Sequence, residues 1–168
     1  MKAKAIIYTS NTGHSEQYAK MIGEKLSLPV YERKYAHNYI AKETPIIYVA
    51  WVMAGLIKDY GKVKNTYTIE AIVAVGMDDS KGALLQMRVE NELPVTTPLY
   101  LVLGGYRKDK LKGLYKWSYK QKAKSLIQEL EEDGDLSPTK KDMLDLLKNG
   151  GSRVKEERLK SFYKDYLK

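Results

Sequence analysis

The chain has 168 residues, 43% of them hydrophobic, and a formal net charge of +8. That length and apolar content describe one folded domain with a sizeable core, not a disordered chain. The absence of cysteine excludes disulfides, thiolate metal sites, iron–sulfur ligation and cysteine nucleophiles, and a histidine count of two (His14 and His37) argues against a histidine-rich metal site. No apolar run approaches the roughly 18–20 residues of a membrane helix, and "MKAKAIIYTS" lacks a signal-peptide pattern, so a cytoplasmic location is expected. The positive charge is local. Residues 107–124, "RKDKLKGLYKWSYKQKAK", hold eight Lys/Arg against the single Asp109.

In chain order, "AKAIIY" (3–8) is short, apolar and β-prone, and it runs straight into a turn rich in Ser, Asn, Thr and Gly. Tyr18, Met21, Ile22 and Leu26 then recur at helical spacing. "PVYERKYA" (29–36) is a weaker strand candidate, and "PIIYVAWV" (45–52) reads as a buried strand ended by "MAG". "EAIVAVGMDD" (70–79) is a further strand ending in Gly and acids, "KGALLQMRVENEL" (81–93) a helix, and "PLYLVLGG" (98–105) a fifth strand. Strands alternating with helices predict βαβ units, hence a three-layer, doubly wound α/β fold on a five-stranded parallel sheet.

The remainder reads as a basic helical C-terminal extension from about residue 107, within one domain spanning 1–168. Ala123, Leu126, Ile127 and Leu130 form one stripe; Ser137 is a candidate N-cap, Pro138 a first helical residue and Gly150 a stop. Leu159, Phe162, Tyr163, Tyr166 and Leu167 form a last stripe that is expected to pack back on the domain.

The turn after the first strand, "SNTGHS", carries the strongest chemical signal. Loops at the carboxyl ends of parallel strands are where such folds bind ligands. The first amides of the following helix lack intrahelical partners and favour an anion; Ser10, Thr12 and Ser15 add hydroxyl donors, and Gly13 permits close backbone approach. An ordinary helix start with nothing bound remains the alternative. There is no G-x-x-x-x-G-K-[ST] and no G-x-G-x-x-G after a strand, which disfavours P-loop nucleotidases and standard dinucleotide folds. Tyr8, Thr9 and Ser10 stand where a receiver domain carries acids.

"IIYTSNTGHSEQYA" resembles the phosphate loop of flavodoxins, an apolar strand running into S-x-T-G-x-[ST] and a helix. The resemblance implies that Ser10, Asn11, Thr12, Gly13, His14 and Ser15 wrap the phosphate of FMN, with His14 contributing its backbone amide and its imidazole exposed. It extends loosely over about residues 3–105. It implies a flavin-stacking role for Trp51, in a loop with Val52 and Met53, and a flank formed by Gly76, Met77 and Asp78, where the usual aromatic is lacking and Met77 can substitute. Asp78 and Asp79 can equally cap the helix that follows, and Trp51 can be an ordinary core aromatic. The basic tail is unlike small acidic carriers and is more similar to the flavodoxin-domain branch that includes menaquinone-dependent protoporphyrinogen oxidase.

The expectation is therefore an FMN-dependent oxidoreductase acting on a small redox substrate such as a quinone or porphyrinogen. An electron carrier serving a protein partner, or a flavin-free interaction module, are the alternatives. If 107–124 is helical, Leu111, Leu114, Tyr115 and Ser118 share one face, while Lys108, Lys112, Lys116 and Lys120 lie elsewhere. A basic rim there, with Tyr106 and Arg107 as first contacts, would steer an anionic substrate, an acidic redox protein or an anionic membrane surface. Lysines on the solvent side of an ordinary packed helix are the other reading. No nucleic-acid recognition motif accompanies the charge, so that partner is not expected.

Overall fold

A computed structural model describes residues 2–107, 109–110, 113–134 and 137–168. The chain divides into two compact units, one formed by Met1–Gly104 with Val154–Lys168 and the other by Gly105–Arg153.

In the first unit the order is β1 (Ala5–Thr9), α1 (His14–Leu26), β2 (Val30–Glu32), α2 (Arg33–Ala36), β3 (Pro45–Met53), β4 (Leu56–Ile57), α3 (Tyr60–Lys64), β5 (Thr68–Gly76), α4 (Lys81–Glu90) and β6 (Leu99–Leu103). The sheet runs β2-β1-β3-β5-β6, all neighbours parallel, with β4 added antiparallel to β3. Counted over the parallel strands alone, this is the 2-1-3-4-5 order of the flavodoxin-like doubly wound fold, whose strand order reverses between β1 and β3.

Alternation along β3 explains the layers. Ile46, Tyr48 and Ala50 are fully buried on one face with Val63 of α3 and Met87 of α4. Ile47 and Val49 are fully buried on the other with Tyr18, Ala19 and Ile22 of α1. A strand buried on both sides must read as a continuous apolar run, and "PIIYVAWVM" does. Gly23 lets α1 lie close to β2, since a Cβ there would come within 2.4 Å of a Val30 methyl.

The weak strand candidate at 29–36 splits. Only Val30–Glu32 pairs with β1, and Arg33–Ala36 turns into α2, which buries Ala36 against the sheet. The last stripe closes the α1 face. A 3-10 turn (Glu156–Leu159) leads into a helix, Lys160–Tyr166, and buries Leu159 and Phe162. Phe162 meets Tyr100 edge-on (5.3 Å between centroids) and stacks on Tyr166, whose hydroxyl accepts the Ala3 N–H at 2.7 Å. Leu167, by contrast, is exposed.

The second unit holds β7 (Gly105–Tyr106), α5 (Gly113–Glu132), α6 (Pro138–Asn149) and β8 (Gly151–Ser152), with β7 and β8 antiparallel. It buries Ala123, Leu130, Leu146 and Leu147. Ser137 caps α6, its Oγ accepting from Lys140 N–H, and Gly150 (φ 76°) ends it, as the sequence signals predict. The segment beginning near residue 107 is thus a compact unit lying in the chain between β6 and the final helix. Among the described residues, no helix is long and apolar enough to cross a membrane.

If Phe162 is a core residue of the first unit, Phe162→Ala should cost about 3–5 kcal/mol in urea unfolding followed by tyrosine and tryptophan fluorescence. A loss below about 1 kcal/mol would show that the final helix does not complete this core.

Candidate functional site

Three segments leave the carboxyl ends of β1, β3 and β5 next to one another in the sheet, since Thr9 pairs with Ala50 and Trp51 with Val75. They differ in construction.

The first is the turn 10–13. Gly13 N–H donates to Ser10 Oγ at 3.0 Å, and Gly13 adopts φ 93°, a left-handed conformation that glycine takes without strain. The first bond of α1 is Gln17 N–H to the Gly13 carbonyl, so the amides of His14, Ser15 and Glu16 lie in the turn that has no intrahelical acceptor. Ser15 is 1% exposed and its hydroxyl has no hydrogen-bond partner among the described residues. A buried hydroxyl without a partner is costly, and a bound anion acceptor would relieve it.

His14 corrects the sequence-based expectation. Its side chain is buried, 4% exposed, not pointing to solvent. The cause is its place as the first residue of α1, against the close of the sheet. A Cβ built on Gly104 would lie 3.5 Å from His14 Cβ, and Gly104 N–H donates to the Gly76 carbonyl. Nδ1 of His14 lies 2.9 Å from Thr12 Oγ1, so the ring braces the turn from below. Tyr18, one helical turn further, donates its hydroxyl proton to the Leu103 carbonyl at 2.7 Å and fixes α1 to the end of β6; burial raises its pKa.

The second segment, "AWVMAG", is a β-hairpin. β3 continues through Met53, Ala54 (φ 52°) and Gly55 (φ 78°) form a two-residue turn, and Val52 and Met53 pair with Ile57 and Leu56. Two successive positive φ values are what such a hairpin turn requires. Asn91, at the end of α4, clamps it. Its Oδ1 accepts Ile57 N–H at 2.8 Å, and its amide donates to the carbonyls of Gly55 (2.7 Å) and Met87 (2.8 Å).

The base of the hairpin is tied to β1 by a relay. Tyr48 donates to the Lys58 carbonyl at 2.5 Å, so its one proton is committed and the Thr9 hydroxyl donates to the Tyr48 oxygen at 2.9 Å. Burial drives the Tyr48 pKa far above the usual 10.0. Asp59, which follows, pairs with Arg33 at 2.9 Å. The Lys58 ammonium stands 5.9 Å from the Trp51 ring centre.

The third segment is 77–80. Asp78 accepts from both the backbone N–H (2.8 Å) and the hydroxyl (3.2 Å) of Ser80, and Ser80 in turn caps α4 by accepting Ala83 N–H at 3.2 Å. Asp79 pairs with Arg158 at 3.2 Å. Both acids have structural work, but neither caps α4: the capping role expected for Asp78 or Asp79 falls to Ser80. Gly76 and Met77 are half-buried.

Ser10–Ser15, Trp51–Met53 and Gly76–Asp78 are therefore gathered at one end of one sheet. Tyr106 is not a rim residue: it is 5% exposed within β7, which pairs with β8, and burial raises its pKa. Arg107 pairs with Asp109 at 3.0 Å. Of the proposed basic rim, Lys120 is exposed on α5. Lys108, Leu111 and Lys112, and the side chains of Leu114, Tyr115, Lys116 and Ser118, lie outside the described residues. Among the described residues no group of three His, Asp or Glu side chains is placed to hold a metal ion. The clamp by Asn91 and the Thr9–Tyr48 relay had no sequence signal beyond a polar residue at a helix end and a Tyr inside an apolar run. No protein-family model, curated protein or solved structure matches the chain.

Replacing the clamp tests the hairpin. Asn91→Leu leaves the Ile57 N–H and Gly55 carbonyl without their partner, and it should cost about 1–3 kcal/mol. Amide hydrogen exchange at Ile57 should accelerate in the variant while exchange in β1 at Ile6 follows global stability alone. Unchanged relative protection at Ile57 would contradict the clamp.

Proposed function

We propose that the chain binds FMN at this end of the sheet and acts as a flavin-dependent oxidoreductase on a small redox substrate. The observation that carries the reading is the Ser10–Ser15 turn: left-handed Gly13, an open first turn of α1, and a buried Ser15 hydroxyl without a partner among the described residues, all at the point where strand order reverses. These donors suit a phosphate held by neutral groups, since the turn contains no Lys or Arg. Trp51, half-buried and one residue beyond the level of Thr9, is the aromatic available to a flavin ring; Val52, Met53, Gly76, Met77 and Asp78 would form its surround.

Bound flavin would supply hydride or electron exchange, which the side chains here cannot supply themselves. The chain's part would be to anchor the phosphate, orient the ring and keep its edge reachable. The net charge of +8 favours an enzyme over an acidic carrier.

Flavin-stripped protein titrated with FMN and with riboflavin decides the matter. Tight FMN binding with quenched flavin fluorescence and much weaker riboflavin binding is expected. Changing Ser10, Thr12 and Ser15 together to Ala should weaken FMN by about 2–4 kcal/mol and leave riboflavin nearly unaffected. Equal affinity for the two flavins, or no binding of either, would overturn the proposal.

A further inference from the structure

A concavity of the first unit, of about 400 Å³, lies beside the β3–β4 hairpin and the start of α3. That volume falls within the range of small-molecule sites, roughly 300–1,000 Å³. Trp51, Met53 and Leu56 line it from the hairpin, and Lys58, Tyr60 and Lys62 from the segment that follows. We propose that this cleft binds a planar aromatic molecule carrying an anionic group, of the size of a bicyclic carboxylate. The cleft shares Trp51 and Met53 with the proposed flavin site, but the proposal does not rest on that reading, since its anion-binding residues, Lys58 and Lys62, lie outside the turn 10–15.

Three observations carry it. First, the walls are held in place without a ligand: Asn91 fixes the hairpin through two hydrogen bonds, to Ile57 and Gly55, and is itself anchored to the Met87 carbonyl of α4, Tyr48 holds the Lys58 carbonyl, and Arg33 holds Asp59 at the entrance to α3. A preformed cleft loses little ordering entropy on binding. Second, its surface suits a flat apolar body. Trp51 and Tyr60 offer ring faces or edges, and Leu56 is 52% exposed, an apolar side chain that a bound ring would shield.

Third, the net charge of the lining is positive. It holds two lysines and a single carboxylate, Asp59, which pairs with Arg33 at 2.9 Å and more distantly with Lys62 at 3.9 Å, and the Lys62 side chain is 73% exposed. Lys58 already lies over the Trp51 ring and Lys64 over the Tyr60 ring, 5.1 Å from its centre. An aromatic anion would therefore find its ring partners and its counter-ions side by side.

The test uses 2-naphthoate as probe and 2-naphthamide as its uncharged counterpart, on the full-length chain carrying Trp117→Phe so that Trp51 is the sole tryptophan. Naphthoate should quench Trp51 saturably and bind at least tenfold more tightly than the amide, with a preference that shrinks as salt rises. In a nitrogen-15 spectrum the Asn91 side-chain amide should shift during the titration. Lys62→Glu, a change at an exposed position, should lower naphthoate affinity at least fivefold and leave the amide unchanged; Lys58→Gln should act in the same direction. Equal affinities for acid and amide, an unshifted Asn91 amide, or indifference to both lysine changes would each overturn the proposal. Because the probe is scored in flavin-free protein, the result is independent of whether FMN binds.

Discussion

A parallel sheet has to be covered on both faces, and that constraint governs this molecule. β3 sits at its centre, with Ile46, Tyr48 and Ala50 facing one layer and Ile47 and Val49 the other, all without solvent exposure. Neither layer is sufficient alone. α1 covers one face together with the final helix, drawn from the far end of the sequence, and α3 and α4 cover the other. Once both faces are occupied, the free backbone and the adaptable side chains are confined to the loops, and ligand-binding chemistry is confined with them.

Those loops divide the work unequally. The turn after β1 is held by a bond within itself and by a buried imidazole, and it leaves the first amides of α1 without intrahelical acceptors. The hairpin after β3 is closed and fastened, its backbone satisfied by Asn91 from one side and by the Thr9–Tyr48–Lys58 relay from the other. Buried polar groups that are fully paired make a stiff support, because losing any one partner strands the others. If FMN binds as proposed, the turn would hold the phosphate and the fastened hairpin would orient the ring.

Much of this was legible in the sequence. Four of the five parallel strands announce themselves as apolar runs, the three-residue β2 being the weak candidate, and their alternation with helices leaves few topologies to choose from. Ser137, Pro138 and Gly150 marked a helix to the residue because capping chemistry is local. What escaped was non-local. The burial of His14 comes from packing beside Gly104, ninety residues away, at the end of a run whose glycines looked like a mere stop signal. Tyr106 read as a surface aromatic because nothing nearby reveals that Gly105–Tyr106 pairs with Gly151–Ser152. The short elements β4 and α3 and the clamp at Asn91 were hidden for the same reason: elements of two and five residues carry little periodicity.

The position of the final helix has a consequence for synthesis on the ribosome. Ala3 hydrogen-bonds to Tyr166, and Leu159 and Phe162 complete the core on the α1 face, with Phe162 against Tyr100 of β6, yet an entire inserted unit, Gly105–Arg153, is translated in between. At ~5–20 residues per second, that insertion delays closure by roughly 2–10 s. During that interval the nascent sheet has its strands but only part of one cover, an apolar surface that invites a chaperone or a neighbouring nascent chain.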